Sequence, residues 1–226
     1  SFIAAMPVVP LFLDLPLMNG DEVPHAPHLA VTADPWPGSV AVYSSDQDAG
    51  YVLNRLVTAQ AVVGQTESVM PPARGGLWDR SQPIRIKTSG GALSSVGATQ
   101  LLNGANLMAV GDGSPGGWEL FQFAQADLVA PDTYDLSRLL RGQAGTEAEG
   151  AAGWPVGSYV VLMNGAPGQI ALSANARDLA RHFRIGPSRR GYDDRSYTHL
   201  VEAFAGIGLR PYAPVHPKFT YPSGGD

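Results

Sequence analysis

The sequence predicts a mainly β fold, built as two β-barrel or β-sandwich-like modules with one or two short helices. Three observations carry this. Glycine and proline are abundant, at 27 and 19 of 226 residues, and both favour turns over helix interiors. Short apolar and β-branched runs recur between turn signals such as Asn19-Gly20 and Gly165-Ala166-Pro167-Gly168. Ile84–Thr88 (IRIKT) alternates apolar and polar residues, the period-two pattern of a strand with one buried and one wet face.

From the N-terminus, Val8–Leu15 alternates weakly and contains Pro10, which cannot donate to a ladder, so an edge strand or a strand start is expected. Met18–Pro27 is a loop. His28–Thr32 and Ser39–Tyr43 are strands separated by Asp34-Pro35-Trp36-Pro37-Gly38, and Tyr51–Leu53 pairs back after a turn at Asp46–Gly50. Leu56–Val63 is apolar with β-branched content, and Gly64–Gly76 reads as loop. Ala98–Asn103 is the short helix. The chain is organised around Asn106–Asn164, which holds strands at Asn106–Gly111, Trp118–Phe123 and Tyr134–Leu140. Beyond it, Ile170–Ser173 is a short strand, and helix and strand compete over Asn175–Ile185. Tyr197–Phe204 favours a strand. Leu209–Pro217 is extended by its prolines, as in a segment joining domains.

Two Gly-rich hinges, Ser89–Gly91 and Gly165–Gly168, bracket the central stretch. The expected organisation is a small β domain over 93–164 inserted into a second β domain made of 1–92 and 165–214. Residues 215–226 form a C-terminal extension. The rival division is sequential, with one break near Gly91.

Composition excludes several functions. The net charge of −5 offers no basic field to hold nucleic acid. No apolar run approaches the ~20 residues of a membrane-spanning helix. Cysteine is absent, so disulfides and thiolate metal sites are too. The chain starts at Ser1 without a signal-peptide charge pattern, and is read as a piece of a longer polypeptide.

The search for chemistry returns little. His25 and His28 are the one close histidine pair, but a metal needs a third ligand and a rigid frame, so a solvated loop and no metal are expected. Asp193-Asp194 among Arg189, Arg190 and Arg195 is read as a solvated turn with weak ion pairs. Glu119, Asp127, Asp135 and Glu147 are acid-base candidates by residue type alone, and alternation puts Glu119 on the wet face of its strand. No GxSxG, HExxH or phosphate-cradling loop is present. Arg141, Gly142, Gly145, Thr146 and Glu147 form a compact phrase, RGQAGTE, whose glycine spacing suits a tight loop. Arg141 and Glu147 are expected to close it by an ion pair. Trp78 and Trp154 read as aromatic plugs over a sheet end. Catalytic residues and cofactors are both expected to be none.

Gly117–Phe123 (GWELFQF), Ala126–Val129 (ADLV), Tyr134–Gly142 (YDLSRLLRG) and Gly145-Thr146-Glu147 resemble a signature of phage tail-tip proteins. They are similar to the C-terminal part of the host specificity, or megatron, protein of gene transfer agents, phage-like particles that package host DNA. Softer matches at Pro7–Leu15, Pro35–Tyr43, Leu77–Arg80, Leu93–Val96 and Leu209–His216 extend the resemblance over most of the chain. The family's glycosidase-like TIM-barrel region and tail-hub segment are missing, so no wall-cleaving activity passes to these residues.

The resemblance implies a non-enzymatic structural role: a homotrimeric hub at the tail tip that closes the tube, supports host attachment and opens for DNA delivery. Its implied partners are other tail-tip or baseplate proteins and, indirectly, the host surface, without sequence-specific nucleic acid or a membrane span. Its implied location is a particle assembled in the bacterial cytoplasm and then released. The alternative is a module that binds cell-envelope glycan or hydrolyses peptidoglycan, which would expose Trp36, Trp78, Trp118 or Trp154 in a groove beside carboxylates.

Overall fold

A computed structural model of the chain describes residues 7–72 and 75–211. Its strands are β1 (Val9–Leu13), β2 (His28–Thr32), β3 (Val40–Ser45), β4 (Val52–Val57), β5 (Val63–Thr66), β6 (Trp78–Asp79) and β7 (Ile84–Ser89). The helix α1 (Ala98–Leu102) follows, then β8 (Leu107–Gly111), β9 (Glu119–Ala130), β10 (Thr133–Gln143) and β11 (Tyr159–Leu162). β12 (Gly168–Gln169), β13 (Arg181–Pro187) and β14 (Thr198–Glu202) complete the set. The fold is mainly β. Among the described residues no helix is long and apolar enough to cross a membrane.

Six strands close into a barrel in the order β10-β7-β5-β11-β8-β9, with β9 returning to pair with β10. Closure leaves the barrel wall without an open edge. β6 adds to β10 beyond the end of β7, at Leu139 and Leu140. The interior is filled by alternate residues of each strand. Ile84 and Ile86, Met108 and Val110, Phe121 and Phe123, Tyr134 and Leu136, and Val160 form one buried cluster. β7 reads buried-exposed three times over, as its alternation predicts.

The second unit is a sandwich of two sheets. One is β1-β2-β12 and the other β14-β13-β3-β4. Phe12, Leu29 and Val31 from the first meet Val40, Val42, Phe183 and Ile185 from the second. Leu11, Leu13 and Ala30, on the other face of the first sheet, pack on Ala109, Leu120 and Val161 from the outside of the barrel. The three-stranded sheet is thus the middle of three layers. That explains why all five residues of β2 are buried: a strand covered on both faces reads as a continuous apolar run. Pro10 sits in β1 at the sheet edge, where a missing donor is tolerated.

Several local readings change. β5 begins at Val63 and runs to Thr66, into the stretch 64–76 that the sequence marks as loop. The strands hydrogen-bonded into the barrel begin at Val63, so Ser89, in the Ser89–Gly91 hinge, is the last residue of a barrel strand. The expected strand at Ile170–Ser173 is displaced to Gly168–Gln169, at the end of the Gly165–Gly168 hinge. Strand wins over helix at β13, preceded by a short 3-10 turn at Ala174–Ala176. β9 runs well past the expected Phe123. His28 begins the strand expected at His28–Thr32 and is buried, so it is not part of a solvated loop with His25. The extension at 215–226 lies outside the described residues.

Candidate functional site

The RGQAGTE phrase lies at the end of β10, and its arginine is turned inward. Arg141 and Glu119 are each 1% exposed. Arg141 Nε donates to Glu119 Oε1 at 2.7 Å and Nη2 donates to Oε2 at 2.9 Å. This is the bidentate fork that a guanidinium makes with a carboxylate. Arg141 Nη1 donates to the Pro71 carbonyl at 2.9 Å and stands 3.7 Å from Asp79. Glu119 also accepts the Trp154 indole N–H at 2.7 Å and the Gly142 N–H at 3.2 Å. Both buried charges are therefore paired and hydrogen-bonded, the condition under which burial is tolerated.

Two expectations fall here. Glu119 is not on the wet face of its strand, and Arg141 does not pair with Glu147. The physical reason is that this part of β9 is buried on both faces. Leu120 packs on the middle sheet outside the barrel, while Glu119 is in phase with Phe121 and Phe123 and faces the interior, where Arg141 meets it. Glu147 is left exposed.

The loop that follows is tied back to the barrel. Thr146, 5% exposed, donates from its hydroxyl to the Gln143 carbonyl at 2.7 Å and accepts the Leu120 N–H at 2.9 Å. Gly142 has φ +59°, and a Cβ there would stand 2.7 Å from Glu147 Cγ, so both conformation and space demand glycine. Gly145 also has positive φ. Arg141, Gly142, Gly145, Thr146 and Glu147 of this seven-residue phrase thus lie at one corner of the barrel.

The four tryptophans do not share a groove. Trp36, Trp118 and Trp154 pack against three different core clusters. Trp78 is half-buried, with the Arg138 guanidinium 5.6 Å from its ring centre. The remaining acids are dispersed too. Asp127 and Asp135 face each other across the β9–β10 ribbon. Arg85 joins Asp135 with two hydrogen bonds at 2.8 and 2.9 Å, and these hold the Asp135 carboxyl below its ordinary range. Asp194 accepts from the Ser196 N–H and hydroxyl, which lower its pKa, and lies 3.9 Å from Arg190.

The barrel and its corner are also where the chain is similar to a known family. Residues 61–161 match the family model described as Rcc01698-like, C-terminal. The matched Rcc01698-like span takes in β5 to β10 and all of β11 but Leu162, together with Glu119, Arg141 and Trp154. The sandwich strands lie outside it. No curated protein matches the chain.

Two features were not singled out in the sequence. Asp14, 4% exposed, accepts backbone N–H groups of Ala205, Gly206 and Ile207 at 2.8 to 3.0 Å. Beside it, a cavity of ≈ 170 Å³ is lined by Trp118, Gly145, Thr146 and Arg210 among others. On the outer face of the four-stranded sheet, Tyr43, Tyr51 and Tyr192 form a chain of ring contacts around Arg184, whose guanidinium lies 5.1 Å over Tyr51. A lone charged residue in an apolar run, as at Asp14 in LFLDL, is the one sequence signal that marks the first.

Proposed function

We propose that this chain is a structural part of a phage-like tail tip, serving in a gene transfer agent particle to close the tail tube and support host attachment and DNA delivery. The observation that carries the reading is the match over 61–161 to a family named from a Rhodobacter gene associated with a gene transfer agent. It coincides with the GWELFQF and RGQAGTE residues on which the tail-tip resemblance rests.

The physical character of the corner supports the same reading. Glu119 spends its oxygens on an arginine, an indole and a backbone amide, so this carboxylate is engaged in holding the corner and not free for proton transfer to a substrate. A buried fork between neighbouring strands stiffens the barrel end that bears the loop. A low share of charged residues, 15%, suits a subunit partly covered by neighbours.

The test is cryo-electron imaging of the whole particle with density assigned to the six-stranded barrel. The expected result is three copies arranged about the tube axis at the distal end of the tail. Absence of the chain from purified particles would overturn the proposal. So would saturable binding of the isolated chain to peptidoglycan, which instead supports the envelope-glycan module.

A further inference from the structure

We propose that Asp48, His182 and His199 form a binding site for one divalent transition-metal ion, of the zinc or nickel type, on the outer face of the sandwich. The site has no connection with the RGQAGTE corner and does not depend on the tail-tip reading.

Sheet register builds it. In the antiparallel pair β13–β14, His199 stands opposite Arg184 and His182 opposite Val201. The two histidines are therefore diagonal neighbours on one face, within reach of each other. It is the face away from the core, because Phe183 and Ile185 take the other. Asp48 comes from the turn between β3 and β4, and β3 is the other neighbour of β13. One ligand atom from each of the three residues lies within 4.8 Å of the others.

The distances are those of ligands around an ion. His182 Nδ1 and His199 Nε2 are 3.0 Å apart. Two nitrogens each about 2.0–2.1 Å from one metal, at an angle of about 90–110°, stand about 2.8–3.4 Å apart. His199 Nε2 lies 3.7 Å from Asp48 Oδ1, a few tenths of an ångström beyond a ligand-to-ligand edge. The rings are nearly parallel, at 13°, with centroids 5.2 Å apart. That is about the N···N distance plus the two ring radii, so each nitrogen points along the line to the other. Without an ion this is an N–H···N hydrogen bond. On binding, the donor ring carries its hydrogen on its other nitrogen, and both lone pairs turn to the metal with no net proton released.

Charge does not forbid a cation here. Arg184 Nη2 donates to Asp48 Oδ1 at 2.9 Å. The same guanidinium also lies 3.7 Å from Asp193, so it has a second carboxylate when Asp48 is engaged. Arg181 is paired with Asp46. Three carboxylates thus face two arginines. Two imidazoles and one carboxylate favour zinc, nickel, copper or cobalt over magnesium or calcium, which prefer all-oxygen shells. Three protein ligands leave positions open to water or to a donor from another molecule.

The test is calorimetric titration of the purified full chain, stripped with EDTA, against zinc chloride and nickel chloride. One ion per chain with a micromolar Kd is expected. His182→Ala and His199→Ala should each weaken binding by about tenfold or more, while His25→Ala leaves it unchanged. Nickel should broaden the imidazole resonances of His182 and His199 and spare those of His28. Absence of saturable binding overturns the proposal. Binding that is equally strong in His182→Ala or His199→Ala overturns it as well. His199 is 38% exposed at a sheet edge, so its substitution leaves the fold intact and the comparison stands.

Discussion

Glu119 and Arg141 are the residues for which burial matters most. Each is a full charge at 1% exposure, and each satisfies the other. Removing one partner leaves the second uncompensated inside the protein, which costs about 3–5 kcal/mol, whereas losing both together costs less than the sum of the single changes. Arg141→Met should therefore lower the urea midpoint strongly, and Glu119→Gln/Arg141→Met should recover part of that loss. Equal effects of the single and double variants would remove the pair from the account. The Trp154 indole and the Gly142 N–H also lean on Glu119, so recovery stays incomplete. His28 offers a second residue-level prediction. Burial pushes its imidazole below the ordinary value of 6.5, opposed by the Glu22 charge and aided by that of Arg55. The folded state then binds fewer protons than the unfolded chain just below that value, so stability rises with pH across the window. It is complete above 6.5 and declines as pH falls from there toward the depressed folded value. Urea midpoints measured at about pH 7.5 and about pH 5.5 should differ in the natural chain, and the difference should shrink in His28→Gln. No change in that slope would mean the imidazole does not carry it.

Among the elements, β9 has two lives. Its burial runs as six buried residues followed by six mostly exposed ones. Glu119–Ala124 lies in the barrel wall, and Gln125–Ala130 continues as a ribbon with β10. Phe123→Ala should cost about 3–5 kcal/mol by opening a cavity in the core. Leu128→Ala, five residues along the same strand and 65% exposed, should stay within about 0.5 kcal/mol. Comparable losses in denaturant unfolding would mean the ribbon is covered by the protein. How legible each element was follows from the same physics. Ile84–Ser89 announced itself because one face is wet, and the alternation is therefore written in residue type. β5 did not, because VGQT is short and Gly64 reads as a turn residue. In the fold, a Cβ at Gly64 would meet the Lys87 carbonyl at 2.1 Å, so the glycine serves close strand approach. The Glu119–Arg141 tie was hidden for a different reason. Alternation marks a wet face only where one side of a strand is exposed, and Glu119–Ala124 is buried on both. The His182–His199–Asp48 cluster depends on contacts across 134 or more residues of chain between Asp48 and the histidines, and no local pattern encodes them.

In the molecule as a whole, the middle sheet decides how the two units behave. β1 and β2 supply Leu11, Leu13 and Ala30 to the contact with the barrel, and Phe12, Leu29 and Val31 to the sandwich core. The same two strands therefore wall the sandwich core and the layer between sandwich and barrel, while the barrel interior is closed by its own six strands. Asp14 strengthens the junction. Its own N–H donates to the Pro115 carbonyl in the loop before β9, while its carboxylate accepts from Ala205, Gly206 and Ile207. One residue thereby joins the barrel side, the middle sheet and the C-terminal segment. A chain of two loosely joined domains would show separate transitions, and size alone would favour that outcome at 226 residues. The shared sheet argues for one transition instead. Tryptophan fluorescence, dominated by the barrel-side Trp118 and Trp154 with Trp36 in the sandwich, should track far-ultraviolet circular dichroism through a single urea midpoint. Leu13→Ala, at a position with 0% exposure, should move both signals together and cost about 2–5 kcal/mol. If the dichroism splits into two steps and Leu13→Ala shifts only one, the middle sheet belongs to one unit and the other folds without it.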